Sequence, residues 1–264
     1  MKRGMCWYLA VVVFLPMSNL VWAQERALAY RYVEGREMTY QRTVRLQAES
    51  AASPEGKENS VLEQVYVLRV EQVAQDGSAR MTLRLDTVAL REGGKLLDLP
   101  PLDTLRSIST RLTISNLGHL LEVENPNTQH AELEAFLNDI VIGITNRPAL
   151  TGIVQEVGTT WKEDKEVQIT HARVPVRARA AVTSRYARNE PCLGIDCSRI
   201  DYNGILTIGN ARVGTMKGTL WFARATGELM REAVVREAVV YTRRQGEQIQ
   251  WRINEEEVIE HIRR

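Results

Sequence analysis

Residues 61–90 read VLEQVYVLRVEQVAQDGSARMTLRLDTVAL, and their period decides the fold. In the second part, Met81, Leu83 and Leu85 alternate with Arg80, Thr82, Arg84 and Asp86. Successive strand residues point to opposite faces, so the alternation describes a strand with one face buried and one in water. The first part, VLEQVYVLRVEQVA (61–74), is rich in Val and Tyr and makes a natural partner. Gln75-Asp76-Gly77 supplies the turn, and the pair is expected to form a hairpin.

The same period extends in both directions. Upstream, MTYQRTVRLQAE (38–49) is a further long strand, followed by the polar loop SAASPEGKENS. Downstream, TRLTIS and HLLEVEN flank Asn116-Leu117-Gly118 as a shorter hairpin. Between these units, LLDLPPLDTLRS carries adjacent prolines and is expected to be a loop holding one helical turn. Strands resume with GIVQEVGTTWKED (152–164) and KEVQITHARVPVRARAAVTSRYARN (165–189), and they fill the chain from 204 to 262. Asn210, Gly218, Thr226-Gly227 and Gln245-Gly246 are the turn candidates there.

One helix stands out. After Pro126, Asn127 or Thr128 is placed to cap QHAELEAFLNDIVIGI. Leu133, Phe136, Leu137, Ile140, Val141 and Ile144 follow helical spacing and form one apolar stripe. Asn146-Arg147-Pro148 ends it. The expected fold is therefore mainly β (α+β): a large curved antiparallel sheet or half-barrel of about a dozen strands, with an amphipathic helix over about 128–145 packed on it. The helix falls between two strand-rich halves, about 26–146 and 150–264, which suggests a single β-rich domain built from two similar parts.

The beginning of the chain, MKRGMCWYLAVVVFLPMSNLVWAQE, has a basic start, a short apolar run and a small residue at Ala23. This layout predicts a secretory signal peptide over 1–23, cleaved after Ala23. The apolar run is too short for the roughly 20 residues of a spanning helix, and no later run is long enough to span. The expected location is periplasmic or secreted. Lys and Arg number 34 against 33 Asp and Glu, and a balance this close to neutral lacks the basic excess of a general nucleic-acid binder.

Export bears on PCLGIDCS (191–198), which holds two of the three cysteines. Disulfides persist outside the cytosol, and cleavage would remove Cys6. Cys192 and Cys197 do not have thioredoxin spacing and have no histidine nearby to complete a zinc site. A disulfide pinning a loop between strands is the expectation.

Catalytic constellations are not visible. There is no Gly-x-Ser-x-Gly elbow and no His-Glu-x-x-His. The histidines His119, His130, His171 and His261 are dispersed, of which His119 and His171 are the two to inspect. No loop has the glycine pattern of a phosphate or dinucleotide site, so neither cofactor nor metal is expected. Glu255, Glu256 and Glu257 alternate across a strand, and the expectation is a solvated charge on a sheet edge.

In 171–186, Val174, Val176, Ala178, Ala180 and Val182 alternate with Arg173, Arg177, Arg179 and Arg185. Two readings arise: a solvated outer face beside acidic neighbours, or a docking surface for anions such as lipid head groups, lipopolysaccharide or an acidic partner. Pro175 suggests an edge strand, open to strand addition by a partner.

The Gly158-Thr159-Thr160-Trp161 opening and the GTLWFARATGEL hairpin (218–229), with SNLGHLLEVEN and a helix upstream, resemble a family of uncharacterised exported bacterial β-rich proteins, many of them lipoproteins. More distantly the plan is similar to periplasmic lipoprotein-carrier half-barrels. The likeness covers about 109–243, and no functional residue transfers with it. It implies an envelope protein that holds acyl chains between a curved sheet and helices. The resulting expectation is a non-enzymatic exported protein binding an apolar or lipid-like ligand along the helix stripe. The alternatives are an interaction or scaffolding module with an envelope protein partner, and an enzyme with a dispersed site.

Overall fold

The computed structural model describes residues 27–50, 57–99, 101–126, 131–171, 174–244 and 247–262. The signal segment, the proposed cap at Asn127 or Thr128, His130, Arg173 and the Gln245-Gly246 turn lie outside these residues.

Among the described residues twelve strands form one antiparallel sheet: β1 (Glu37–Glu49), β2 (Lys57–Val73), β3 (Ala79–Glu92), β4 (Lys95–Leu96), β5 (Ser109–Ile114), β6 (Leu120–Val123), β7 (Thr160–His171), β8 (Val174–Cys192), β9 (Ile195–Ile208), β10 (Ala211–Ala223), β11 (Leu229–Arg244) and β12 (Glu247–Ile262). Across the sheet the order is β6-β5-β3-β2-β1-β12-β11-β10-β9-β8-β7, with the short β4 on β3. The sheet is open and curved, as the alternating pattern predicted. Its order has a simple logic. Each half is a meander of hairpins, and β1 pairs with β12 along a seam from Thr39↔Ile262 to Glu49↔Arg252. The first and last strands of the chain are thus the middle of the sheet, and β6 and β7 are its edges.

The hairpin quoted first forms between β2 and β3, where Met81, Leu83 and Leu85 are buried and Arg80 and Arg84 exposed. The alternation breaks at Asp86, because a bulge sets Leu85 against Tyr66 and Thr87 against Val65. Asp86 is buried as a result and accepts a 3.0 Å bond from Arg106 Nε on the short helix α1 (Leu102–Ser107). That helix is the single turn expected after the paired prolines.

The second helix, α2 (Ala131–Asn146), links the two edges of the sheet. Leu133, Leu137, Ile140 and Ile144 are buried and belong to the main core, with Phe136 and Val141 half-buried beside it. Glu134, Ala135 and Asn138 face water. The sheet supplies the other half of that core from both wings, with Tyr66, Leu68, Met81, Leu83 and Leu112 on one side and Val182, Ile200, Leu206 and Leu220 on the other.

Three local expectations are corrected. Gly218 is no turn; it lies inside β10, where an added Cβ would sit 2.4 Å from the Tyr202 ring. The glycine makes room for that tyrosine. Residue 175 is not on an edge strand, because β7 flanks β8 and pairs Thr170 with Pro175. Pairing of β8 with β9 begins only at Arg179, so the proline's missing N–H falls where β8 runs past the end of its neighbour. Glu255 and Glu257 are not edge charges, since β12 is central and both are buried.

Candidate functional site

The inner face of the central seam is built by alternation. On β1 the inward positions include Tyr40, Arg42 and Ala48; on β11, Glu232, Val234 and Arg236; on β12, Ile253, Glu255, Glu257 and Ile259. Register then brings the charges together. Glu257 lies across from Val44 on one side and Val234 on the other, and Glu255 lies across from Arg236.

Glu257 is the hub. One carboxylate oxygen accepts from Arg42 Nε at 2.6 Å and the other from Arg236 Nη1 at 2.7 Å. Arg236 also donates to Glu255, and Arg42 to Asp139 of α2. Arg42 Nη1 donates to Gln64 Oε1 at 2.6 Å, and Gln64 Nε2 donates to the Phe136 carbonyl of α2 at 3.2 Å. The helix comes close because residue 143 is glycine: an added Cβ would stand 3.0 Å from Glu257 Oε1. At its C-terminal end, Asn146 imitates a strand, donating to the Gln168 carbonyl at 2.7 Å and accepting from the Gln168 amide at 2.9 Å.

Burial alone would raise both carboxyls. In Glu257 the charges of Arg42 and Arg236 outweigh it and hold the group well below the ordinary carboxylate range. In Glu255 burial wins, reinforced by the Glu257 charge, and its proton is held more tightly than usual.

A second buried group lies past the end of α2. Arg147 Nε donates to Glu232 Oε2 at 2.6 Å, and the Tyr202 hydroxyl donates to Glu232 Oε1 at 3.1 Å. The segment 27–36 crosses this end of the sheet, with Leu28 N bonded to the Ile153 carbonyl and Tyr30 N to the Asn116 carbonyl. Tyr30 stacks on Tyr32 at 5.6 Å and meets Phe222 edge-on at 5.0 Å. A cavity of about 30 Å³ lies here, lined by Tyr30, Tyr40, Met81, Ile144, Arg147 and Glu228 among others. Burial raises the Tyr30 hydroxyl to about 12, against the lowering effect of Arg147.

The expected stripe is therefore placed as predicted against the sheet, but its bed is not wholly apolar. The ionic chain through Arg42, Glu257, Arg236 and Glu255 was missed. Its sequence signal was the inward parity of Arg42 with Tyr40 and of Glu257 with Ile259, which is legible only once β1 and β12 are known to be central.

Among the other candidates, Arg177, Arg179 and Arg185 are exposed on the outer face of β8. Register sets Arg179 against Glu166 and Arg185 against Asp201, so acidic residues do flank the row. His119 is exposed in the β5–β6 turn, and His171 ends the edge strand β7.

The expected disulfide is not formed, and Cys192 and Cys197 stand as buried free thiols. Cys192 pairs with Ile195 and Cys197 with Glu190, so the two are diagonal neighbours on one face of a tight hairpin. Diagonal positions are about 7–8 Å apart, beyond the roughly 4.4–6.8 Å Cα separation of a disulfide. They pack instead with Ala223 and Met230, and desolvation pushes the Cys197 thiol up to about 12. Among the described residues no cluster of His, Cys, Asp and Glu is arranged to hold a metal ion, and no helix is long and apolar enough to cross a membrane.

No family model matches the chain, and no curated protein matches it. Solved structures do. A lipovitellin structure, described as one of lipid–protein interactions, matches 88% of this chain with a TM-score of 0.53 at 10% identity. This chain spans only 26% of that one, and the likeness shows the fold. A hypothetical lipoprotein, YmcC of Escherichia coli (K12), matches over 81% of this chain and 82% of its own at 16% identity, with a TM-score of 0.28.

Proposed function

We propose that this is a non-enzymatic exported protein of the cell envelope that holds an apolar or lipid-like molecule between the concave face of its sheet and α2. The helix acts as a displaceable cover. The observation that carries this reading is the attachment of α2. Its apolar stripe rests on a broad apolar face, while its flanks are tied by polar contacts from Arg42 to Asp139, Gln64 to Phe136 and Asn146 to Gln168. The two neutral ties, from Gln64 and Asn146, contribute only about 0.5–1.5 kcal/mol each, because water replaces them, and the Arg42–Asp139 ion pair about 1.5–3 kcal/mol. With α2 in place the surface is occupied: a cavity of about 30 Å³ is far below the roughly 300–1,000 Å³ of a ligand pocket. Ligand and helix therefore compete for one apolar face. The similar fold in lipovitellin, a structure described as one of lipid–protein interactions, is in keeping with this use.

Native mass spectrometry and organic extraction of the exported, gently purified chain test this. Copurifying apolar molecules, or uptake of an added medium-chain alcohol with release of α2 protection in hydrogen exchange, are the expected outcomes. A chain that emerges empty and takes up none would sink the reading.

A second reading has its own support. β6 and β7 are edges of the sheet, and the Arg177, Arg179, Arg185 row lies on the strand next to β7. An acidic partner strand added to β7 would meet both features, as in a scaffolding module of the envelope. Capture of a stoichiometric partner that is lost on Arg177→Glu with Arg179→Glu distinguishes this from ligand carriage.

A further inference from the structure

The two ends of α2 are held in different ways. At the C-terminal end Asn146 exchanges two hydrogen bonds with the backbone of Gln168, and Arg147 Nε is sealed against Glu232, the side chains of that pair being 8% and 1% exposed. The chain just beyond is fastened on both sides. Toward β7, Lys165 donates to the Arg147 carbonyl, Ala149 N donates to Glu163 Oε2 at 2.8 Å, and Trp161 Nε1 donates to the Ala149 carbonyl at 3.0 Å. Toward the β5–β6 turn, Leu150 N donates to the Leu117 carbonyl at 2.9 Å. The segment 27–36 closes this end of the concave face. Gly152 N donates to the Leu28 carbonyl at 3.0 Å, and Tyr30 packs so near Gly118 that an added Cβ there would stand 2.8 Å from the ring.

Among the described residues, the polar fastenings of the first half of the helix spring from one place. Arg42 and Gln64 face each other across β1 and β2. Arg42 reaches Asp139, and Gln64 Nε2 donates to the Phe136 carbonyl at 3.2 Å. The Asp139 side chain is 23% exposed, so water reaches this pair, and contacts that water can replace are the first to open. Nearer the start of the helix, Leu133 and Leu137 are buried. Lifting this half uncovers them, which holds the helix down until an apolar molecule takes their place. The concave face is less covered here. Val44 and Leu46 of β1 and Leu62 of β2 share the inward parity of Arg42 and Gln64 but are only half-buried.

We infer that α2 opens as a flap, hinged at residues 146–150 and released first at Arg42–Asp139, so that its ligand enters beneath the first half of the helix, over β1 and β2. The inference rests on the reading of α2 as a displaceable cover and adds the direction in which it lifts. Hinges are short stretches at the ends of elements that absorb the backbone change, and 146–150 is where the helix gives way to a loop. The opposite motion, with the C-terminal end rising, would strip Arg147 from Glu232 and pull the chain away from β7 and from segment 27–36 together. Leaving a buried charge unpaired makes that the costlier break.

Hydrogen exchange resolved along α2 in the ligand-free chain tests the direction. After correction for intrinsic rates, the amides of 135–139 should exchange at least about tenfold faster than those of 144–147. Asp139→Asn should speed the first set further and leave the second set and the β1–β12 seam unchanged. Because the closed helix occupies the ligand's place, the same variant should also bind decanol more tightly, by the factor that opening gains; a merely destabilising change would not do so. Equal rates along the helix, or faster exchange at 144–147, overturn the hinge, and that comparison needs no variant to fold. Decanol uptake by such a chain would leave the cover reading standing. An Asp139→Asn effect spread evenly over α2 overturns the hinge as well. A gradient in a chain that takes up no decanol keeps the hinge and removes the carrier reading.

Discussion

Two sets of charged side chains on alternating strands meet opposite fates in this molecule. Arg177, Arg179 and Arg185 on β8 point outward into water, as their spacing implies. Arg42, Arg236, Glu255 and Glu257 have the same alternate spacing along β1, β11 and β12, yet they point inward and are buried under α2. Parity along a strand separates two faces but does not say which is the core when both carry charge. On β8 the opposite parity is Ala and Val, and the choice is forced. On β12 the inward set mixes Trp251, Ile253 and Ile259 with the two glutamates, and the apolar members decide. Three apolar anchors carry the acids inside with them, and the price of that burial is a set of matched arginines from two neighbouring strands.

The contrast is sharpest at Glu257, where the largest effect is expected. Its carboxylate joins Arg42 to Arg236. Replacing one partner of a buried pair leaves the other uncompensated and costs about 3–5 kcal/mol. Glu257→Gln should therefore destabilise by about 3 kcal/mol or more in denaturant unfolding at neutral pH. The pH dependence fixes the cause. Glu257 has a folded pKa below its unfolded one, so its contribution is fully present above the ordinary carboxylate value near 4.5 and is lost as pH falls below it. The gap between the unaltered protein and Glu257→Gln should close on acidification from pH 5 downward. Glu255 has the opposite sign. Its folded pKa is raised, so its contribution is present below the ordinary value and declines as pH rises past it. Glu255→Gln should cost less than Glu257→Gln at neutral pH; an equal or greater cost would break the picture of one hub and one accessory acid.

Much of the fold was legible from local pattern. Period-two runs marked β1, β2, β3 and β5 within a few residues, and the stripe from Leu133 to Ile144 placed α2 and its buried side, whereas the stretch read as 165–189 runs across the end of β7 at His171 and the start of β8 at Val174. What was not legible depends on pairing between residues far apart in the chain. That β12 returns to lie beside β1 is a contact across the whole sequence, and no local period encodes it. The ionic cluster and the burial of Glu255 and Glu257 both follow from that one pairing. The cysteines fall between these cases. Their proximity was readable from the spacing, but the two-residue turn at Leu193-Gly194, with Leu193 at φ 51°, sets them diagonally, and the register decides.

Gly218 is an intermediate test of how the inner face is filled. A turn glycine tolerates alanine when φ is ordinary, whereas this one is buried in β10 beneath Tyr202, whose hydroxyl serves Glu232. An added methyl must displace that ring, and overpacking of this kind costs about 1–3 kcal/mol. Gly218→Ala should lower the unfolding free energy by that amount, read from denaturant titration. Gly218→Ala combined with Tyr202→Phe should recover little, because the clash is with the ring as well as its oxygen. A neutral Gly218→Ala would mean that the ring has room to move, and that this wing of the core is looser than the seam.

The smallest effect belongs to the outer row, and its smallness is the informative part. Arg179 is exposed and lies across from Glu166 on β7 and Thr207 on β9. A solvated cross-strand pair contributes a few tenths of a kcal/mol, and salt screens it further. Arg179→Gln should shift denaturant stability by less than about 0.5 kcal/mol, with no dependence on pH between 5 and 8. Set beside Glu257→Gln in the same titration, it gives the ratio between a charge that the fold has enclosed and one that it displays. If Arg179→Gln instead cost as much as a buried substitution, the outer face of β8 would be covered in the folded protein. The arginine row would then be part of an interface, and the scaffolding reading would gain over the carrier.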